Sequence, residues 1–574
     1  MGKNTFSYYK TFLFIFLVFL VTPLFLRAVQ IGDSQNFNID SSYDLTARSQ
    51  TTATLRRITS KLYFYIDNGW WQSLDSQKQQ EVDKALESLD SEFHNKIYPT
   101  LISAFGFEWE PGIDNDKHIT ILIHPMKEEA GGYFTSGDEH PKLQVPTSNE
   151  REMIYLNTNY ITSPLAKSCL AHELTHLITF NQKDRLRGVS EETWLNEARA
   201  EYVSTLLGYD ADYEGSNLQR RVKIFLDKPT DSLTEWLNLR YDYGVVNLFT
   251  QYLVDHYGSE ILTDSLRSLK VGIPSIDEAL QKRGFFEDFS QIFTEWTITV
   301  LVNDYKFGQK YYYFNLNLKN FRIVPQVNFL PLIGESSLSV TYTTKDWAGN
   351  WQKIIGGKNV LKLEFQGDPR VQFRMPYLVE DFEGKISINF LPLDQNQKGV
   401  IYVENFNSKN KSLIIIPSIH TKIFGFDGLE NSYQFSFIAS TVERTPEQEA
   451  ELIKKLLVQI EQLKKQITEV QAKIDAILVS RGQKSTCSKF ERDLFFGMMN
   501  SQEVRCLQEF LKSQGQEIYP EGLVTGNFLD LTQAAVSRFQ EKYNSEILTP
   551  LGLQKGTGYV GPATRNKINQ LLGK

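Results

Sequence analysis

The seven residues Ala171-His172-Glu173-Leu174-Thr175-His176-Leu177 decide how the rest of this 574-residue chain is interpreted. Apolar residues recur around them at helical spacing, from position 165 to position 178, which predicts an α-helix. On a helix, side chains at i and i+4 lie one above the other, so the imidazoles of His172 and His176 can reach one metal ion. Glu173 then lies beside that ion, where it can take a proton from bound water. The chain has only eight histidines, which makes this spacing a specific signal.

A second predicted helix supplies a candidate third ligand. It covers Trp194–Tyr202 and follows a polar loop. Glu197 comes 21 positions after His176, which leaves room for a turn and an antiparallel return. Glu201, one turn further, and Asn196 are predicted to support the ligand histidines through hydrogen bonds to their far nitrogens. The alternative is an ordinary pair of solvated glutamates on a helix surface.

The composition is that of a folded, acidic, multidomain protein. Hydrophobic residues make up 41% and charged residues 23% of the chain, as in globular domains. Its length exceeds that of one ordinary domain. The formal net charge of -8 argues against a nucleic-acid partner, which would require a basic surplus or a basic stripe.

The N-terminus has the pattern of an export signal. Lys3 and Lys10 flank the start of a short apolar run. An uncleaved membrane anchor is the alternative, although Pro23 and the shortness of the run weigh against a full span. Residues 1–28 are therefore predicted to be a signal peptide. Residues 29–54, which are rich in Ser, Asp, Asn, Gln and Thr, are predicted to be a flexible leader or a short pro-segment.

Export would place the three cysteines in an oxidising compartment. They are too few for a disulfide scaffold. Cys487 and Cys506 are close in sequence and form a candidate disulfide. Cys169 is the odd one out and is predicted to be a buried, inert thiol on its apolar helix.

Changes in the pattern of apolar and polar residues divide the rest of the sequence into four regions. Residues 55–308 run from strands to helices, which predicts an α+β catalytic domain. Residues 309–445 hold short strands separated by Gly, Asn and Asp, which predicts an all-β sandwich. Residues 446–480 carry about four heptads with Ile at the a positions, typical of a coiled-coil helix that either self-associates or folds back as a spacer. Residues 487–574 predict a small all-α domain.

The two metal-site segments resemble the gluzincin metallopeptidases, and their context is similar to the hyicolysin-type branch. The resemblance covers roughly residues 55–300 and implies a zincin-like fold. It also implies hydrolysis of a peptide or protein substrate with one Zn²⁺ held by His172, His176 and Glu197. It is carried by the following segments: Ile97–Pro99, Pro111–Asp116, Gly131–Phe134, Ser148–Tyr155 and His172–Tyr202.

Three other segments are interpreted beside this resemblance. The segment Arg240–Gly244 resembles the Tyr-x-x-Gly motif that carries an oxyanion-binding tyrosine in some gluzincins. The resemblance selects Tyr241 for this role, with Tyr243 as the reserve candidate. The alternative is that Tyr241 is an ordinary packing tyrosine. Gly131–Phe134 is either an edge strand for an extended peptide or an ordinary hairpin strand. Asp114-Asn115-Asp116 lacks the later ligands of a calcium loop, so a plain turn is predicted.

The C-terminal region resembles small peptidoglycan-binding-like domains. The resemblance is carried by Val504–Leu511, Gly526–Phe528, Thr532–Gln540 and Gly558–Thr564. In such domains a Gly-Pro pair usually follows the aromatic residue of a repeat. In the first repeat of this sequence, Leu529-Asp530 stands in its place after Phe528. The resemblance implies attachment to the cell wall, with peptidoglycan as a further partner.

Together these features predict a secreted or cell-surface zinc endopeptidase tethered to the wall. Two alternatives stay open. In the first, the enzyme is a wall hydrolase that cuts peptidoglycan stem peptides. Otherwise the chain is a non-catalytic, wall-associated adhesion or scaffold protein.

Overall fold

The computed structural model describes residues 29–332, 336–442, 489–499 and 501–573, with isolated residues between 454 and 466. The predicted signal peptide, most of the predicted coiled coil and Cys487 lie outside the described residues. The chain divides into two compact units, Met1–Glu443 and Arg444–Lys574.

The first unit begins with a mixed six-stranded sheet. Its spatial order is β1-β2-β3-β4-β6-β5, with β3, β4 and β6 parallel and the outer pairs antiparallel. The parallel strands have nearly continuous apolar sequence because both of their faces are covered. The strands are β1 (Ser34–Asn38), β2 (Gln50–Ile58), β3 (Leu62–Asp67), β4 (Ile119–His124), β5 (Gly132–Tyr133) and β6 (Met153–Asn157).

The prediction of a flexible leader at residues 29–54 is wrong. This segment contains β1 and the start of β2, which pair antiparallel along one side of the sheet. Phe37 and Leu55 are buried under the hairpin. The error has a physical cause: only alternate residues of an edge hairpin face the core, so polar side chains on the other face dominate its composition.

The described residues of the first unit contain ten α-helices. The predicted helix around His172 is α4, whose buried Leu170, Leu174 and Leu177 pack towards α3 and β6. The helices are α1 (Asn68–Ser73), α2 (Ser76–Glu92), α3 (Tyr98–Phe105), α4 (Ala166–Thr179), α5 (Thr193–Leu206), α6 (Asn217–Asp227), α7 (Arg240–Tyr257), α8 (Glu260–Leu266), α9 (Gly272–Lys282) and α10 (Phe289–Val302). Short π-helical turns cover Phe93–Ile97 and Phe180–Arg185, and 3-10 turns cover Ser136–Glu139, Tyr305–Phe307, Gln309–Tyr311 and Leu316–Leu318.

The predicted all-β region follows. One ladder runs β13-β12-β15-β9-β7 and another β14-β10-β17-β8, with β11 and β16 forming a separate pair. The ladders join at a single residue pair, Phe406 with Asn410, across a tight turn. The region therefore forms one nine-stranded sheet around a shared core. The predicted sandwich would have had two separate sheets, and the prediction is corrected on this point. The strands are β7 (Gln326–Leu330), β8 (Ser337–Thr344), β9 (Gln352–Gly356), β10 (Asn359–Gly367), β11 (Phe373–Arg374), β12 (Pro376–Asp381), β13 (Ile386–Phe390), β14 (Lys398–Phe406), β15 (Asn410–Ile415), β16 (Ser418–Ile419) and β17 (Tyr433–Val442).

The helical and all-β regions share a core. Trp347 and Trp351 are buried in the same apolar cluster as the residues of α10. The Trp351 indole N–H donates to the Thr297 carbonyl at 2.8 Å, and the rings of Trp347 and Phe289 lie 5.0 Å apart. The change in sequence pattern near residue 308 thus separates a helical region from a β region within one compact unit.

The second unit is helical where it is described. Its helices are α11 (Gln502–Ser513), α12 (Asp530–Lys542), α13 (Asn544–Ile547) and α14 (Pro562–Leu572), and a 3-10 turn covers Thr549–Leu551. The two predicted amphipathic helices correspond to α11 and α12. Across the described residues, no helix combines the length and the apolar character needed to cross a bilayer.

The second unit contains an internal repeat of 32 residues. The Gln508 side chain accepts hydrogen bonds from the backbone N–H groups of Thr525 and Gly526, both at 2.8 Å. Gln540 accepts equivalent bonds from Thr557 and Gly558, at 2.8 and 3.0 Å. The turn at Thr525 and Gly526 therefore has the same hydrogen-bond geometry as the turn at Thr557 and Gly558, although the usual Gly-Pro sequence is replaced near it.

Candidate metal site

The predicted ligands converge where α4 packs against α5. The Nε2 atom of His172 lies 3.1 Å from Oε2 of Glu197, and Nε2 of His176 lies 3.6 Å from the same oxygen. The two imidazole centroids are 4.8 Å apart. The helix spacing that suggested one shared ion thus brings both rings to one carboxylate.

These three atoms have the spacing of zinc ligands. In a tetrahedral site with metal–ligand bonds of about 2.0–2.1 Å, neighbouring ligand atoms lie roughly 3.3 Å apart. Two imidazoles and one carboxylate also form a donor set that leaves a fourth position for water or substrate. Glu173 forms a group with both histidines in which ligand atoms lie within 4.8 Å. Both Glu173 and Glu197 thus lie near the two rings, and Glu197 is the carboxylate whose oxygen pairs with both imidazoles, at 3.1 and 3.6 Å.

The protonation of the site fits a metal position. Burial acts to lower the pKa of His176, but the Glu197 carboxylate outweighs it and the pKa rises to about 9. The same ion pairing holds the pKa of Glu197 below its usual range in spite of burial. Without a cation the imidazoles therefore retain protons against this carboxylate, and a metal ion would displace them.

Glu201 and Asn196 occupy the supporting positions predicted for them. Glu201 Oε1 lies 3.5 Å from Nδ1 of His172, and Asn196 Oδ1 lies 3.1 Å from Nδ1 of His176. The Glu201 carboxylate is fixed from behind by the Arg221 guanidinium, which donates to both oxygens at 2.7 and 2.5 Å. The side-chain amides of Asn217 and Asn247 also donate to Oε2 of Glu201, at 3.1 and 3.2 Å. Both ring nitrogens of His172 are thereby faced by carboxylates.

Glu173 lies between the histidines and the edge strand β5. A Cβ atom placed on Gly132 would come within 3.2 Å of Glu173 Oε1, so the strand backbone passes directly beside this carboxylate. Burial raises the pKa of Glu173 above its usual range, and the charge of Glu197 contributes further. A raised pKa suits a carboxylate that takes up and releases a proton.

A cavity of about 830 Å³ opens at these residues. His172, Glu173 and Gly132 are part of its wall. Cys169 also lines it and is half-buried, not fully buried as predicted. Burial nevertheless raises the pKa of its thiol to about 12.

The structure favours Tyr243 over Tyr241 as the tyrosine of the site. Tyr243 lines the cavity, and Tyr241 does not. The Tyr241 hydroxyl instead accepts a hydrogen bond from Arg240 at 3.0 Å. Burial, followed by the charge of Glu197, raises the pKa of Tyr243, which keeps its hydroxyl protonated as a donor. Helical geometry explains the correction, because residues two positions apart on α7 lie on different faces.

Sequence reasoning missed Tyr43 and Asn238. Tyr43 lines the cavity from the segment between β1 and β2, where its ring stacks on Tyr133 at 4.7 Å. Asn238 donates to the Tyr43 hydroxyl and accepts from the Tyr243 hydroxyl, both at 3.1 Å. The left-handed backbone of Asn238, with φ of 57°, is a conformation that asparagine tolerates well. No sequence motif marks this group, because it forms only when distant segments meet.

Of the candidate disulfide, only Cys506 is described. It lies in α11 and is disulfide-bonded. Because Cys487 lies outside the described residues, the pairing of these two cysteines stays a prediction.

Residues 500–568 match the family model PG_binding_1, a peptidoglycan-binding domain. This match confirms the C-terminal resemblance over those residues and associates the chain with the cell wall. No curated protein matches the chain.

Several solved structures are similar to parts of the chain. The Yersinia pseudotuberculosis-derived mitogen is 8% identical, with 19% of this chain and 88% of that one covered at a TM-score of 0.14. Aeromonas hydrophila PliG, a periplasmic inhibitor of g-type lysozyme, is 7% identical, with coverage of 20% and 98% and a TM-score of 0.14. The glucuronidase BtGH115A is 7% identical, with coverage of 57% and 51% and a TM-score of 0.13. At such TM-scores these similarities carry no argument about fold or function.

Proposed function

We propose that the first unit is a zinc-dependent endopeptidase of the gluzincin type, exported and held at the cell wall through the second unit. The observation that carries the proposal is the approach of both histidine Nε2 atoms to one oxygen of Glu197, with Glu173 and an edge strand alongside. A zinc ion held by His172, His176 and Glu197 would lower the pKa of a bound water and polarise the scissile carbonyl.

Glu173 is the proton carrier in this proposal. Its carboxylate accepts a proton from the attacking water and delivers it to the nitrogen of the leaving amine. Burial favours the protonated intermediate form of the carboxyl, as the raised pKa indicates. Glu173 therefore needs no direct role in holding the metal.

Other residues orient the substrate. The unpaired edge of β5 can bind an extended peptide through backbone hydrogen bonds, which places a peptide bond beside Glu173. Tyr243 is the proposed donor to the carbonyl oxygen as negative charge develops there. In the structure this hydroxyl donates its single proton to Asn238 Oδ1 at 3.1 Å, so the proton has to turn from Asn238 to the carbonyl oxygen when substrate is bound.

A second candidate substrate is favoured by the match at residues 500–568. A peptidoglycan-binding domain would bring the same hydrolytic site to the stem peptides of the wall. The chemistry would be unchanged, and only the peptide presented to β5 would differ.

The test measures zinc content and hydrolysis together. The purified chain should bind about one equivalent of zinc and cleave either an unfolded protein or purified peptidoglycan. Glu173→Gln should retain zinc and lose hydrolysis, whereas Glu197→Ala should lose zinc. The matched control is Glu214→Gln, which makes the same change at an exposed position.

The outcomes separate the roles. Loss of zinc in Glu173→Gln would show that Glu173 is a ligand and not the proton carrier. Full zinc binding by Glu197→Ala would remove it from the metal site. Cleavage of peptidoglycan alone would select the wall-hydrolase alternative. A zinc-loaded chain that hydrolyses neither substrate would favour the non-catalytic adhesion or scaffold alternative.

A further inference from the structure

The cavity beside Glu173 extends to one side of the candidate metal site. His172 lines the cavity and His176 does not. Its wall follows α4 back from Glu173 through Cys169 to Leu165, and another part of the wall is a face of α6. A substrate residue next to the scissile bond would therefore place its side chain between these two helices.

The face of α6 carries two cations that have no carboxylate partner. Arg220 and Lys223, three positions apart, both line the cavity. Arg220 is half-buried and Lys223 is exposed. Neither forms an ion pair with a carboxylate in the part of the chain that the structure describes, and the hydrogen bond of Arg220 goes to the Glu129 carbonyl oxygen at 3.4 Å. A neutral carbonyl leaves the charge of the guanidinium uncompensated.

The neighbouring cations are already paired. Arg221 donates to both oxygens of Glu201, at 2.7 and 2.5 Å. The Arg240 guanidinium lies 3.3 Å from the Asp227 carboxylate. Two carboxylates of the cavity wall are thus occupied by other arginines, and the free positive charge on α6 belongs to the unpaired cations.

The remaining charged residues of the wall precede β5. Lys127, Glu128 and Glu129 are exposed, and none of them forms an ion pair with the α6 cations in the described part of the chain. Because solvent surrounds these side chains, their charges are screened more strongly than that of the half-buried Arg220.

The charge of Arg220 acts on the wall next to Glu173. Cys169 lies on α4 one helical turn before Glu173. Burial is the main cause of the raised pKa of its thiol, and the charges of Arg220 and Arg221 act in the opposite direction. A Cβ atom on Gly131 would lie 2.7 Å from Sγ of Cys169, so the backbone leading into β5 passes beside the same thiol. The guanidinium therefore acts on the part of the cavity between Glu173 and the edge strand.

We propose that Arg220, supported by Lys223, selects peptides with an acidic side chain next to the scissile bond. This inference rests on the proposed peptidase activity and names the class of substrate that it favours. An extended peptide paired with β5 directs alternate side chains to opposite faces, so one residue beside the cleaved bond faces the α4 and α6 wall. A carboxylate there can accept two parallel hydrogen bonds from the guanidinium. The hydroxyls of Ser168 and Ser204 are further donors in the wall.

A neutral or basic side chain at the same position would be disfavoured. A neutral one leaves the guanidinium desolvated without a partner, and a basic one adds repulsion. A hydrogen-bonded charge pair of this kind should favour Glu over Gln by about 10–100-fold in kcat/KM. The preference should decrease as salt is raised from about 0.05 M to about 0.5 M, because the pair is only partly shielded from solvent.

The test compares peptides that differ only at the residues flanking the cleaved bond, which are Glu, Gln or Lys. The zinc-loaded chain is assayed with each peptide, and the cleaved bond is identified by mass spectrometry. The order of kcat/KM should be Glu, then Gln, then Lys. Equal rates for the three peptides would overturn the inference and leave the proposed peptidase activity intact.

Charge variants identify the residues responsible. In Arg220→Gln/Lys223→Gln the ratio of Glu to Gln should fall to within about threefold. Arg220→Glu should reverse the order, with the Lys peptide preferred over the Glu peptide. Arg267→Gln/Lys84→Gln is the matched control, because it removes the same charges at exposed positions outside the cavity, and it should keep the wild-type ratio. A preference that the double variant retains would overturn the inference.

A binding assay separates this inference from the proposed function. Fluorescence anisotropy measures the affinity of the same peptides for the zinc-loaded Glu173→Gln chain, in which turnover is not required. The affinities should follow the order Glu, Gln, Lys. Selective binding of the Glu peptide, with no cleavage by the wild type, would support the acidic subsite and refute the peptidase proposal. Binding without preference would overturn the subsite alone.

Discussion

Glu201→Gln tests the claim that a buried ion pair positions a metal ligand. Glu201 and Arg221 are 1% and 7% exposed and share two hydrogen bonds. A glutamine keeps the shape of the side chain but leaves the Arg221 guanidinium buried beside a neutral group. Breaking a buried pair in this way costs about 3–5 kcal/mol of the free energy of unfolding. Losing the carboxylate behind a ligand histidine should also weaken zinc binding by about 10–100-fold.

A second variant separates folding from ligand orientation. Glu201→Gln/Arg221→Met removes both charges, and removing a whole buried pair is often close to neutral for stability. It should therefore recover most of the free energy of unfolding. Its zinc affinity should stay low, because Nδ1 of His172 still lacks the carboxylate that lies 3.5 Å away in the wild type.

The assays are urea unfolding followed by tryptophan fluorescence, and competition for zinc with a chromogenic chelator. Exposed Glu214→Gln should match the wild type in both. Zinc binding by Glu201→Gln at wild-type strength would refute the orienting role. If Glu201→Gln lowers the free energy of unfolding by less than about 1 kcal/mol, the claim that the pair is buried and unscreened is refuted.

Two further predictions concern the cavity and the core. Tyr243→Phe should lower kcat by about 100-fold, while Tyr241→Phe should leave it nearly unchanged, and the reverse order in a peptidase assay would restore the sequence-based choice. Burial, with a smaller effect of Arg374, lowers the pKa of His420 to about 3. The unfolded chain takes up a proton below about pH 6.5 while folded His420 stays neutral, so about 2 kcal/mol of stability should be lost between pH 7 and pH 5. Urea midpoints measured at pH 7 and pH 5 should show that the His420→Gln variant lacks this part of the pH dependence of stability. Equal pH dependence in the variant and the wild type would contradict the prediction.

The convergence of the candidate metal ligands could be predicted because their spacing is local. His172 and His176 share a helix face by geometry alone, and the apolar side of α4 identifies that helix. Glu197 required only one reversal of the chain. The parallel strands were also predictable, since continuous apolar runs such as that of β4 leave little ambiguity.

The remainder of the site depends on long-range contacts. Tyr43 approaches the cavity because a polar hairpin pairs with the central sheet, and composition alone suggested a flexible segment. Asn238 is hydrogen-bonded to Tyr243 and also to Tyr43, which lies 195 positions before it in the sequence.

The core shared by α10 and the all-β region also limits how this protein can change through recombination. Exchange of gene segments is tolerated where each encoded piece buries its own apolar surface. A breakpoint near residue 308 would leave Trp347 and Trp351 on one product and the helix that covers them on the other. Descendants should therefore inherit the helical and β regions together. The unit that begins at Arg444 has a core of its own and can be exchanged or lost as a module.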